Sequence, residues 1–158
     1  MKDSFFISIL FLIAFVFSII PLPDFIQIAM PEWIPLILFF FSIMHPEKIG
    51  LFLALAFGII LDLFSGSLLG QHALSLLVTV TICLRLNLIV RVFPLWQLNL
   101  FIIIMLIIYE FILFWIDGVL SNNVPVSERI FPIFSSMLVW PIILRYIPKL
   151  RDDISNRI

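Results

Sequence analysis

Two acids stand in the sequence where acids are costly. Asp62 lies in Gly58-Ile-Ile-Leu-Asp62-Leu-Phe-Ser-Gly66, and Glu110 lies in Ile107-Ile108-Tyr109-Glu110-Phe111-Ile112. An ionisable residue inside a long apolar run marks a functional site by default, and its partner has to be found. The nearest candidates are Gln71 and His72, which open the apolar run after Asp62. Asp62 could hydrogen-bond across the short turn to His72, or to free amides near Gly66 and Gly70. Glu110 could be protonated, or could pair with His72 if the two runs are neighbours. Such groups can pack helices, bind a partner or move protons. A proton relay needs a chain of titratable groups, and two acids with one histidine make a short chain.

The cost can be set against the surroundings of Asp62. Leu51, Phe52, Leu53, Leu55, Phe57, Ile59, Ile60, Leu61, Leu63 and Phe64 favour insertion into a bilayer by roughly 3–6 kcal/mol together, and a central Asp would cancel about 2.5–3.5 kcal/mol of that. Asp62 sits one turn from the end of its run, which lowers the cost. Glu110 is deeper, about two turns from the end of its own.

Other chemistries find no residues to carry them. Cys83 is the single cysteine of 158 residues, which excludes an internal disulfide and any cysteine-built zinc or iron–sulfur cage. A net charge of -1 leaves no basic footprint for nucleic acid. The sequence has no Gly-rich phosphate loop, no H-E-x-x-H and no G-x-S-x-G elbow. His45 and His72 fall in different loops, on opposite faces of the expected topology, so they cannot share a metal. No enzymatic activity, cofactor or metal is expected.

The elements that position Asp62 and Glu110 follow from composition. Residues AVILMFWYC make up 63% of the chain and charged residues 12%, against about 45–50% apolar and about 25% charged in soluble domains. With eighteen Phe, the chain needs lipid tails as its solvent. We read an all-α polytopic membrane protein, a single transmembrane domain over residues 1–158. Apolar runs cover Phe5–Ile20, Trp33–Met44, Ile49–Ser65, Leu68–Leu88, Leu98–Ile116 and Phe131–Ile147. The first has no small-x-small cleavage site at its exit, so it is expected to stay as a helix ended by Pro21 and Pro23. The last is expected to close at Pro148.

The second run is short. Twelve residues span about 18 Å at 1.5 Å per residue, against a hydrocarbon core of about 30 Å. Either the helix begins near Phe25 and bends at Pro31, or it tilts into a thinned bilayer, or it does not span.

Lysine and arginine set orientation. With six spans and both termini inside, Lys2, Lys48, Arg85, Arg91, Arg145, Lys149, Arg151 and Arg157 fall on the inner side and only Arg129 outside. Dropping the second run puts Lys2 and Arg129 outside together, a slightly worse division. Arg85 is expected to snorkel to the inner surface. Trp33, Trp96 and Trp115 fall near span ends, where aromatic belts lie; Trp140 does so less clearly.

Glycines shape the third run and its exit. Ala54 and Gly58 form a small-xxx-small face that lets helix backbones approach in lipid. Gly66 and Gly70 are suited to the turn itself.

The central stretch resembles a known family. Pro31-Glu-Trp33-Ile-Pro, His45-Pro46-Glu, and Gly58-Ile-Ile-Leu-Asp62-Leu-Phe-Ser-Gly66-Ser-Leu-Leu-Gly70-Gln-His-Ala resemble the MreD family, the rod-shape-determining membrane proteins of bacteria. Leu95-Trp96-Gln97, Glu110 ahead of Phe114-Trp115, and Leu138-Val-Trp140-Pro141 continue the likeness over nearly the whole chain. The resemblance implies a role in the elongation machinery that builds lateral-wall peptidoglycan. It implies association with the bitopic protein MreC, and through it with the MreB filament and a RodA–PBP2-type synthase, in the inner membrane. It also implies a helical arrangement similar to the substrate-binding subunits of energy-coupling-factor transporters, which keeps a small-molecule-binding or transporter-subunit reading open. The family motif carries over to Gly58, Asp62, Gly66, Gly70, Trp140 and Pro141, and less directly to Glu110. With His72 these are the candidate structural and partner-contact residues. Asn87, Pro94 and the tail acids Asp152 and Asp153 depart from the pattern without touching its motif.

Overall fold

Glycine and proline cut the apolar sequence into helices of unequal length. The computed structural model describes residues 2–20, 23–120 and 125–157, so Pro21 and Ile158 lie outside it. The helices are α1 (Lys2–Ile19), α2 (Asp24–Gln27), α3 (Trp33–Met44), α4 (Leu51–Ser65), α5 (Gln71–Val90), α6 (Leu95–Val119) and α7 (Val126–Arg157). Among the described residues, three apolar stretches are long enough to cross a membrane: Gln71–Val90, Leu95–Val119 and Glu128–Ile147. Phe6–Ser18, Trp33–Met44 and Leu51–Ser65 are shorter apolar helices.

The short helix α3 lies at the centre. Every residue from Ile34 to Ile43 is buried, as expected of a helix that is apolar on all sides. It packs against α1, α5 and α7. Rings mark the contacts: Phe11 with Phe41 at 6.2 Å and Phe40 with Trp140 at 6.4 Å between centroids. The helix does not reach back through Pro31 to Phe25. The separate turn α2 precedes it, and Glu32 is its N-cap residue.

Both ends of α3 are tied to later helices. The Glu32 N–H donates to Ser136 Oγ on α7 at 2.9 Å. At the other end Arg91, just past α5, donates to the carbonyls of Met44 at 3.1 Å and Ile43 at 3.3 Å. A cation on the last free carbonyls of a helix satisfies them and matches the negative end of its dipole.

The outer elements lie against this centre. Helix α4 pairs mainly with α5 as a tight hairpin, α5 with α6, and α6 with α7. Phe11 and Phe57 stack at 4.2 Å, and Phe15 meets Phe64 edge-on at 4.9 Å, which joins α1 to α4.

Two local expectations need correction. Helix α7 continues through Pro148 to Arg157; a proline removes one N–H and favours a kink, but here it does not end the helix. Trp140 is 1% exposed and packs against α3, so it belongs to the interior. Trp96 and Trp115 are 67% and 65% exposed, as residues of an aromatic belt would be.

Candidate functional site: a polar cluster at one end of the helices

The cluster starts at the α4–α5 turn. Gly66 ends α4 in the left-handed conformation at φ 64°, and Gly70 precedes α5 at φ 105°, backbone states that a side chain disfavours. Helix α5 thus begins on a residue with no side chain to cap it. Asp62, one turn inside α4, supplies the cap from across the turn. Its Oδ2 accepts the Gly70 N–H at 2.7 Å, and its Oδ1 accepts the His72 N–H at 2.7 Å. His72 Nδ1 lies 2.8 Å from the same Oδ1, and Ser67 Oγ donates to it at 3.0 Å. A carboxylate on the free N–H groups of a helix start is favoured by hydrogen bonding and by the dipole together. Asp62 is 1% exposed, and these bonds are what make its burial tolerable.

The hairpin closes because Gly58 lacks a Cβ. A Cβ built there would lie 2.2 Å from the Ala73 Cα. The small-residue face therefore meets α5 at Ala73, one residue after His72.

The second acid has a different partner from the one expected. Glu110 Oε2 accepts from Arg129 Nη1 at 3.0 Å, not from His72. The guanidinium also bonds Asp117 through Nη2. Glu110 and Asp117 are seven residues apart on α6, two turns along one face, and Arg129 reaches them from the start of α7. All three side chains are nearly buried, at 8%, 7% and 13% exposure.

Gln71 couples the two groups. Its Nε2 donates to Asp117 Oδ1 at 2.8 Å, while the adjacent His72 holds Asp62. Helix α5 thus starts on a pair of residues that grip α4 on one side and α6 on the other. Tyr109 lies between them, its ring 6.4 Å from His72. Its hydroxyl, Gln71 Oε1 and Arg129 Nε are buried without a partner among the described residues.

Glu32 completes the electrostatics. Burial, and then the negative charge of Glu110, push its carboxyl up to about 8, against the pull of Arg129. A polar cavity of about 230 Å³ opens beside it, lined by Ser18, Gln27, Glu32, Ser65, His72 and Glu128 among others. The cavity is at the end of the helices, and Glu110 is taken up by Arg129 rather than lining it.

The remaining sites are elsewhere. Pro141 is exposed on α7. His45 lies at the opposite end, its Nδ1 3.4 Å from Glu47. Cys83 is buried in the apolar interior. With six spans Arg129 falls in an outer loop by sequence; the signal for its place in the cluster is the i, i+7 spacing of Glu110 and Asp117 with one basic residue at that end.

Fold and site together define an all-helical, strongly apolar protein built for a membrane, with its buried charges spent on joining helices. The family model for rod shape-determining protein MreD matches residues 2–150, and the chain belongs to this family. It is 31% identical over 144 residues to the rod shape-determining protein MreD of Haemophilus influenzae, covering 91% of this chain and 89% of that protein. No solved structure matches the chain.

Proposed function

We propose that this protein is a non-enzymatic inner-membrane component of the bacterial cell-elongation machinery. In this reading it holds an MreC-like bitopic partner, acts through it with the MreB filament and a RodA–PBP2-type synthase, and so supports lateral peptidoglycan synthesis. It crosses the membrane six times with both termini in the cytoplasm, in an arrangement like the energy-coupling-factor substrate-binding subunits. Family membership supports the cell-shape role. One observation carries the scaffold reading: Asp62, Glu110 and Asp117 each bind groups of this same chain. Their chemistry stiffens one end of the molecule, where the short loops gather. A stiff end with short loops is suited to lateral and loop contacts with a partner, which in lipid depend on close packing and satisfied polar groups.

The test is co-purification of the tagged protein from its own membranes in mild detergent, with mass spectrometry of everything retained. Recovery of an MreC-like protein at a fixed ratio, reduced in Asp62→Leu, is the expected result. Normal partner recovery and normal rod shape in that variant would overturn the role given to Asp62. The polar cavity beside Glu32 and His72 favours a second reading, a small-molecule-binding subunit. A stoichiometric small molecule retained on a chain purified without any partner would establish it instead.

A further inference from the structure

At the end of the helices opposite Asp62, a groove of about 560 Å³ runs between the start of α6 and the last apolar turns of α7. Apolar Leu95, Pro141, Ile142 and Leu144 line it together with polar Asn99, Arg145 and Tyr146. We propose that this groove binds an anionic phospholipid, with an acyl chain along its apolar side chains and the phosphate on Arg145.

Position is the first argument. Arg145 lies in the last turn of the apolar stretch Glu128–Ile147, and Leu95 begins the stretch Leu95–Val119. The groove is therefore at the level where a bilayer changes from tails to headgroups, the depth at which basic residues and Tyr or Trp gather.

Charge is the second. Arg91 and Arg129 are engaged with carbonyls and carboxylates of the chain. Arg145 is exposed and makes no hydrogen bond or ion pair among the described residues. Among the described residues, no Asp or Glu lines the groove. A phosphate there meets a guanidinium and the Asn99 amide, while the ammonium of a zwitterionic lipid would meet no carboxylate of the described lining. The amino terminus of α6, with no acid in its first turn, adds partial positive charge to the same groove. Apolar side chains beside a cation select an amphiphile over free phosphate, as basic pockets between membrane helices do.

The test is native mass spectrometry of the full-length protein in mild detergent, titrated with phosphatidylglycerol and phosphatidylethanolamine in equal amounts. Preferential retention of phosphatidylglycerol is expected, reduced roughly fivefold in Arg145→Gln, the loss that one basic residue near a lipid phosphate accounts for. Ile142→Trp enlarges an apolar lining side chain without changing charge and is expected to lower retention as well. Arg85→Gln, another exposed arginine outside the groove lining, is expected to leave it unchanged. Equal retention of the two lipids, or equal losses in Arg145→Gln and Arg85→Gln, would overturn the proposal. So would unaltered binding in both Arg145→Gln and Ile142→Trp. Melting curves of each variant show whether it is folded; should Arg145→Gln not fold, Ile142→Trp decides alone.

Discussion

Asp62 and His72 are joined twice through one oxygen, by the backbone N–H at 2.7 Å and the ring Nδ1 at 2.8 Å. The acid of one helix thereby becomes the cap of the next. This gives a physical reason for a carboxylate eight residues ahead of Gly70 in so apolar a stretch: the glycine frees the turn, and the aspartate supplies the capping oxygen that glycine lacks.

Replacing Asp62 by Leu removes a cap and leaves the N–H groups of Gly70 and His72 without an acceptor. A loss of about 2 kcal/mol or more follows from the usual cost of a lost cap and an unsatisfied buried donor. Thermal melting in detergent measures it. Asp62→Asn keeps an acceptor oxygen and should fall between. A Leu variant that melts with the wild type would mean that water or another group caps α5 as well.

Gly58→Ala should destabilise more than its single methyl suggests. The new Cβ meets the Ala73 backbone, which cannot rotate away, so α4 and α5 must separate. Overpacking of this kind costs typically about 1–3 kcal/mol. Gly118→Ala, with nothing within 4 Å of its Cβ position, is the matched control and should melt at or above the wild type.

Arg129→Gln leaves Glu110 and Asp117 facing each other without a cation. Breaking a buried ion pair from one side costs about 3–5 kcal/mol. The triple variant Arg129→Gln, Glu110→Gln, Asp117→Asn should recover much of the loss, because neutral amides can bond one another. Comparing the melting points of the single and triple variants separates a structural charge group from one needed as charge. If the single variant is as stable as the wild type, the group is solvated more than its burial indicates.

Glu32 gives a pH dependence with a definite sign. Its carboxyl is raised from 4.5 to about 8 in the folded protein, so between those values the folded state binds more protons than the unfolded one. Stability then falls as pH rises through that window and levels off above it. Glu32→Gln should flatten this part of the profile between pH 5 and about pH 8. Parallel profiles for variant and wild type would show that another group sets the slope.

The sequence made some of this plain. The apolar runs, the Gly66–Gly70 turn and the partnership of Asp62 with His72 could be read because they depend on residues within ten positions of each other. Arg129 as the partner of Glu110 could not, since it depends on how α6 and α7 meet. It sat beyond an apolar run and read as a loop charge, while a helix start placed it against α6. The burial of Trp140 was hidden for a similar reason: its place within its run left it between interface and interior, and only the packing of α7 on α3 places it inside. The length of α3 was legible, but not that its short reach is matched by ties at both ends.

Those ties have a consequence for biosynthesis. Helix α3 is made early, yet Arg91 and Ser136, which fix its two ends, are made later. Until α5 and α7 emerge, α1 alone of the helices it packs against is there to hold a segment too short to settle across a bilayer on its own. Its final position is therefore reached after translation has moved past it, and a chain interrupted before α7 should leave the insertion machinery with its central helix unplaced, a natural mark for quality-control proteolysis.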